Sequence, residues 1–239
     1  MITFKNGASA EYIDGFCKIF GDSKEFVHKI ISISNEVFEI YEDGVFCGGL
    51  CAIDVSIKVD NAIKSGAYIY GAFICESARG RGLFRKLCEY VHAYYCEELY
   101  DFMMTIPANA SLFELYKGLG FGHYLDGVVS LCGDTTAVIL PQGTEFSDFD
   151  DDFSSLYFIH IQNDNLIKTY DIFKQSVCDF DIKYISLGDK RGYALFEGDA
   201  LIFASGDFVR YASAKKGLLM KITDFDTPED MLCDILFEI

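Results

Sequence analysis

One stretch, Gly71 to Val91, constrains this chain more than any other: Gly-Ala-Phe-Ile-Cys-Glu-Ser-Ala-Arg-Gly-Arg-Gly-Leu-Phe-Arg-Lys-Leu-Cys-Glu-Tyr-Val. Tyr68 to Ile74, which runs into it, is rich in aromatic and β-branched residues and free of proline, the makeup of a half-buried strand. Glu76 to Arg81 is polar. From Leu83 onward, apolar residues return at Leu87, Tyr90, Val91 and Tyr94, the spacing of one face of an α-helix. A strand, a turn and a helix therefore follow one another directly, and Gly80 and Gly82 fall at the helix N-terminus.

The first turn of a helix carries backbone N–H groups without intrahelical acceptors and the positive end of the macrodipole, so it accommodates anions. Glycine lets a ligand approach the backbone closely. Arg79, Arg81, Arg85 and Lys86 add positive charge in a chain whose net charge is −17. A surface turn with glycines for shape and arginines for solubility is the plain alternative.

Arg79-Gly80-Arg81-Gly82-Leu83-Phe84, entered from a strand and opening a helix, resembles the coenzyme A pyrophosphate loop of the GNAT superfamily of N-acetyltransferases, Arg/Gln-x-x-Gly-x-Gly/Ala. Phe84 departs from the small residue of that pattern, and its side chain either crowds the diphosphate or points into the core. Other phosphate loops fit less well. The dinucleotide fingerprint needs a third glycine where this chain has Arg85, and no Gly-x-x-x-x-Gly-Lys-Ser/Thr occurs.

Ile2 to Phe4 is expected to form a short strand, Ala8 to Phe20 a helix, and Ser23 to cap a second helix through Ile31. The two helices are expected to wall the substrate cleft. Val37 to Tyr41 and Val45 to Val59 form a hairpin about Asp43-Gly44, with a bulge or close contact at Gly48-Gly49. Asn61 to Gly66 reads as a turn. Asp101 to Ile106 is a strand, and Asn109 to Gly120 contains a short helix with Leu112, Leu115, Tyr116 and Leu119, leading into a strand from Phe121 to Leu131.

This second segment also resembles the GNAT pattern: an Asn, a helix bearing a Tyr, then Gly-Phe opening a strand, matched by Asn109, Tyr116, Gly120 and Phe121. A tyrosine on an apolar helix face is otherwise a core residue. The resemblance covers about residues 1–140, and Tyr68-Ile-Tyr-Gly-Ala-Phe73 is most similar to the branch that includes the enhanced-intracellular-survival acetyltransferases. It implies an α+β fold with a mixed, mostly antiparallel central sheet flanked by helices.

The chain is expected to comprise an acetyl-coenzyme A-binding catalytic domain, 1–140, and a small α+β domain, 141–239, a degenerate GNAT half or a lid. In the latter, Phe146 to Phe153 reads as an acidic linker, Leu156 to Val177 as one or two helices broken near Asn163 to Asn165, and Ile182 to Leu187, Tyr193 to Phe196, Leu201 to Ala204 and Leu218 to Ile222 as strands. Pro228 opens a last helix or turn.

Composition narrows the partners. With 37 acidic and 20 basic residues, nucleic acid and anionic membranes are disfavoured, and a cationic substrate is the weaker inference. Apolar stretches interrupted by charge and the lack of a secretory pattern imply a cytosolic protein. Nine cysteines at irregular spacings imply reduced thiols and no structural disulfide; without Cys-x-x-Cys and with scattered histidines, no metal is expected. Monomer and homodimer both stay open.

The resemblance implies acetyl transfer from acetyl-coenzyme A to an amine by direct attack in a ternary complex. Arg79, Gly80, Arg81, Gly82, Leu83 and Phe84 would hold the pyrophosphate, Asn109 falls on a family position of the cofactor site, and the strand end near Ile74 would polarise the thioester carbonyl. Tyr116 stands where the family carries its general acid. Many relatives have a carboxylate base where this chain has Gly71. The base is then a water chain, a residue of the second domain, such as Glu238 or the Ile239 carboxylate, or absent. The alternative is a non-catalytic acyl-coenzyme A sensor on the same fold.

Overall fold

The structure is a computed structural model that describes residues 1–59, 62–128, 138–163, 166–205, 208, 210–211 and 215–225. Its contacts divide the chain into two compact units. The first comprises Met1–Ser56, Ile63–His123 and the return segment from Leu218; the second comprises the described residues of 57–62 and 124–217. A single boundary at 140/141 was expected. The division is instead discontinuous, because Leu218 to Lys221 enters the first unit's sheet.

The first unit opens with β1 (Ile2–Asn6) and two helices, α1 (Ala10–Phe20) and α2 (Lys24–Ile33). Ser9 and Ser23 cap the helices by accepting from Tyr12 and Phe26 N–H, and Gly21 ends α1 at φ 84°. Their apolar stripes, Tyr12 and Phe16, then Val27, Ile30 and Ile33, are buried. β2 (Glu36–Glu42) and β3 (Val45–Val59) turn at Asp43-Gly44, both at positive φ. The pairing shifts between Ile40 and Tyr41, which leaves Cys47 as the extra residue of a bulge.

β4 (Ala62–Ile74) starts well before Tyr68 and takes up most of the expected Asn61–Gly66 turn. A one-turn 3₁₀ segment, Glu76–Ala78, leads to α3 (Leu83–Glu97); β5 (Phe102–Thr105), α4 (Ala110–Lys117) and β6 (His123–Val128) follow. β6 starts two residues later than expected, and residues 129–131 of that expected strand lie outside the described residues.

In the second unit β7 (Val138–Ile139), β8 (Glu145–Asp148), α5 (Phe153–Asn163), β9 (Leu166–Lys168), α6 (Tyr170–Val177), β10 (Asp181–Leu187), β11 (Lys190–Glu197), β12 (Ala200–Ala204) and β13 (Arg210–Tyr211) occur in order. Strands β12-β11-β10-β8 form an antiparallel sheet over a core of Leu156, Phe173, Val177, Ile182, Tyr193, Leu195 and Phe203. The acidic linker contributes β8 and then Asp152, which accepts from Ser154 and Ser155 N–H at the start of α5. His160 is buried there and stacks on Phe173. The stretch around Pro228, Glu238 and Ile239 lies outside the described residues.

β14 (Lys215–Lys221) completes the main sheet, whose order is β1-β2-β3-β4-β5-β14-β6. Leu218 to Lys221 pairs antiparallel with Thr105 to Phe102. Leu218 and Leu219 are fully buried, as a strand covered on both faces requires, and they protect the otherwise open edge of β5. Asp101 anchors the join: its carboxylate accepts from Ser65 N–H, Lys64 and Thr223, and its carbonyl from Ile222 and Thr223 N–H. Burial pushes its pKa up, but these three partners overcome it and hold the carboxyl below its ordinary range. Among the described residues no helix is long and apolar enough to cross a membrane.

Candidate active site

β4 and β5 run parallel but pair only over Gly66–Tyr68 and Phe102–Met104. At the next position Thr105, 3% exposed, donates its hydroxyl to the Ile69 carbonyl at 3.2 Å, and there β5 ends. β4 continues through Gly71, at φ 56°, to Ile74. The long strand thus leaves its shorter neighbour beyond Thr105.

The end of β4 is tied down. Cys75 N–H bonds the Cys47 carbonyl at 2.8 Å, and Arg79 Nε donates to the Ile74 carbonyl at 3.1 Å. Gly48 allows the strands to come this close, since a Cβ there would lie 2.3 Å from the Phe73 carbonyl oxygen. The Ile74 carbonyl and the Cys75 N–H are therefore engaged within the protein.

The turn then passes through Gly80 and Gly82, at φ 76° and 72°, into α3. A Cβ at either would have nothing within 4 Å, so the backbone there is open to approach. No side chain caps α3 and its first turn holds no acidic residue, while Lys86 N–H already bonds the Gly82 carbonyl. The N–H groups of Leu83, Phe84 and Arg85 precede Lys86, the first intrahelical donor, and have no intrahelical acceptor. This cradle fits a diphosphate.

The arginines hold the turn in shape. Arg79 binds Ile74 as above; Arg81 pairs with Glu42 and donates to the Ser77 carbonyl; Arg85 donates to the Gly118 carbonyl at 3.2 Å, linking α3 to the end of α4. Leu83 is buried in the core, which leaves only its backbone for a ligand. Phe84 turns inward and meets the Tyr116 ring edge to face, centroids 5.6 Å apart, so the departure from a small residue does not block the turn. Asn109 caps α4: its side-chain oxygen accepts from Leu112 N–H and the Ser111 hydroxyl.

Tyr116 is 6% exposed and packs between Phe84 and Phe121. Burial pushes its pKa well up, the neighbouring Cys88 adds to this, and hydrogen bonding with Thr105 pulls it part of the way back. Cys88 also lines a cavity of ≈ 320 Å³ with Arg85, Glu89, His92, Leu119 and Met220. Thr105 was not singled out from the sequence, although it is the one polar residue of the apolar run Phe102 to Ile106.

The helix-opening turn next to a parting pair of parallel strands can be matched to known architectures. No protein-family model matches the chain, and none of the curated proteins does. Among solved structures, a GCN5-related N-acetyltransferase from Anabaena variabilis aligns with a TM-score of 0.65 at 16% identity, over 92% of this chain and 73% of its own. This chain has the GNAT fold. Eis1 from Mycobacterium abscessus aligns at a TM-score of 0.60 and 10% identity, over 93% of this chain and 74% of its own. A probable N-acyltransferase from Enterococcus faecalis gives 0.60 and 13%, over 82% of this chain, which spans 55% of that protein. The first two alignments therefore run over more of this chain than its first unit alone.

Among the described residues no group of three or more His, Cys, Asp or Glu side chains is arranged to hold a metal ion, and the described cysteines are free thiols.

Proposed function

We propose that this chain is an acetyl-coenzyme A-dependent N-acetyltransferase acting on a primary amine, near the enhanced-intracellular-survival branch of the GNAT fold. One observation carries the reading: an open, positively polarised helix N-terminus at Gly80 to Arg85, whose Phe84 meets the ring of the buried Tyr116 edge to face. The donor supplies a reactive acetyl thioester. The N–H groups of the α3 first turn bind its diphosphate, and Arg79, Arg81 and Arg85 keep that turn rigid through their bonds to Ile74, Glu42 and Gly118.

Within that reading the amine nitrogen attacks the acetyl carbon, the carbon–sulfur bond breaks, and Tyr116 gives its hydroxyl proton to the departing thiolate. The raised pKa keeps Tyr116 protonated at neutral pH, as a proton donor must be. The proton shed by the amine restores Tyr116 through water, since Gly71 bears no carboxylate. The net charge of −17 favours a cationic acceptor.

Release of free thiol from acetyl-coenzyme A in the presence of polyamines, aminoglycosides and peptides tests this directly. Acceptor-dependent release is expected. Tight binding of acetyl-coenzyme A with no release from any acceptor would replace the enzyme by a non-catalytic binding module.

A further inference from the structure

The arginines of the turn that opens α3 differ in their partners. Arg79 Nε donates to the Ile74 carbonyl at 3.1 Å and Arg85 to the Gly118 carbonyl at 3.2 Å, both backbone oxygens. Of these three, and among the described residues, only Arg81 meets a carboxylate: its Nη1 pairs with Glu42 Oε2, while its Nη2 donates to the Ser77 carbonyl. Glu42 is the last residue of β2, so the carboxylate reaches the turn from the β2–β3 hairpin and not from the turn itself. Both side chains stay accessible, Arg81 at 49% and Glu42 at 28% exposure.

A guanidinium presents its N–H donors in a planar fork, and carboxylates and phosphates seek the same edge of it. The uncapped first turn of α3 and the open backbone at Gly80 and Gly82, on either side of Arg81, draw an anion to this place. Such an anion finds the Nη1 side of Arg81 taken by Glu42. Exposed ion pairs are weak and exchange partners readily, whereas the Nη2 bond to Ser77 keeps the side chain tied within the turn. We infer that Glu42 is an internal competitor at the donor turn: its carboxylate holds Arg81 until the diphosphate of a coenzyme A donor takes its place, so Glu42 sets how tightly donor and product bind.

The inference rests on the reading of this turn as the donor site. Acetyl-coenzyme A and coenzyme A carry the same diphosphate, which takes no part in the bonds that form and break. Competition at Arg81 therefore weakens both ligands equally. It raises KM for the donor and hastens departure of the product without altering the barrier of the chemical step. No covalent bond changes at Glu42 or Arg81; an ion pair exchanges one anion for another.

Calorimetry with coenzyme A and with inorganic pyrophosphate, on the full chain and on its Glu42→Gln and Arg81→Gln variants, tests this at about 0.05 M and about 0.5 M salt. Glu42→Gln keeps the length of the side chain and removes its charge. It is expected to tighten both ligands about three- to tenfold at low salt, and less than about twofold at high salt, where exposed charges are screened. Arg81→Gln is expected to weaken both by at least about threefold. In thiol-release assays with spermine as the probe amine, Glu42→Gln lowers KM for acetyl-coenzyme A and the inhibition constant of coenzyme A by the same factor and does not raise kcat. Its unfolding midpoint stays close to that of the native chain, because an exposed pair contributes little to stability. Unchanged or weaker affinity in Glu42→Gln makes Glu42 a support of the turn and overturns the competition, as does native affinity in Arg81→Gln. A native chain that binds neither ligand removes the donor-site reading itself, and this inference with it.

Discussion

The Phe16 ring on α1 occupies the space that any side chain at Gly71 would need: a Cβ on Gly71 would stand 2.1 Å from Phe16 Cε2. Gly71 also adopts φ 56°, a left-handed conformation in the middle of β4. The missing carboxylate at this position is therefore a consequence of packing as well as of sequence, since the bend of β4 and the seat of α1 both require glycine. Gly71→Ala is expected to destabilise the first unit by about 2–4 kcal/mol, from the backbone conformation and overpacking together. In a Phe16→Ala background, itself destabilised by the loss of a buried ring, Gly71→Ala should cost less than in the native chain, because only the backbone part remains. Denaturant unfolding measures both; a loss below about 1 kcal/mol would show that Phe16 moves aside freely.

Gly82→Asp tests the anion site with little risk to the fold. Its φ of 72° is one that Asp tolerates better than most residues, and nothing lies within 4 Å of the new Cβ. A carboxylate at the α3 N-terminus competes with the diphosphate for the same N–H groups. Affinity for acetyl-coenzyme A is expected to fall by about tenfold or more, read by calorimetry alongside an unchanged unfolding midpoint. Equal affinity would remove the turn from the binding site.

Tyr116→Phe should reduce turnover by about ten- to ten-thousandfold with little change in acetyl-coenzyme A affinity, because the ring keeps its contacts with Phe84 and Phe121 and only the proton donor goes. Unchanged turnover would leave Tyr116 a core residue. The same substitution has a stability signature. The folded pKa of Tyr116 is raised above its ordinary value of 10.0, chiefly by burial, so its contribution is fully present below pH 10 and is lost as pH rises beyond it. Thermal midpoints between pH 9 and 11 should fall less steeply in Tyr116→Phe than in the native chain.

Residues 1–140 expressed alone should not form a stable domain. They lack β14, whose Leu218 and Leu219 are fully buried and whose pairing covers β5. They also lack Thr223, which Asp101 holds through side chain and backbone. Dispersed amide resonances and cooperative unfolding of this fragment would show that β14 is dispensable.

The thiols should divide by burial. Cys51 and Cys88 are pushed up to about 11 and about 12 by desolvation and should resist alkylation at pH 8 in the folded protein, while the exposed Cys96 and Cys178 react. Mass spectrometry after brief iodoacetamide treatment reads this, and early labelling of Cys88 would mean that α3 opens locally.

The sequence by itself determined the pieces whose physics is local. Ser23 and Asn109 cap helices because a side-chain oxygen reaches an N–H three residues on, Asp43-Gly44 turns because both residues accept positive φ, and the strand, glycine turn and helix around Gly80 and Gly82 follow from a change of period within twenty residues. Tertiary structure decided everything that depends on a partner far along the chain. Leu218 to Lys221 has the composition of any strand, and only the open edge of β5 makes it part of the first unit's sheet. Phe84 has no local signal for facing the core and is turned there by Tyr116. Gly71 carries no carboxylate, but the reason is Phe16, fifty-five positions earlier in the chain. Thr105 is one hydroxyl in an apolar strand until β4 places the Ile69 carbonyl beside it. Periodicity and capping are written in neighbouring residues; which ring fills a gap and which carbonyl receives a hydrogen are settled only when distant segments pack.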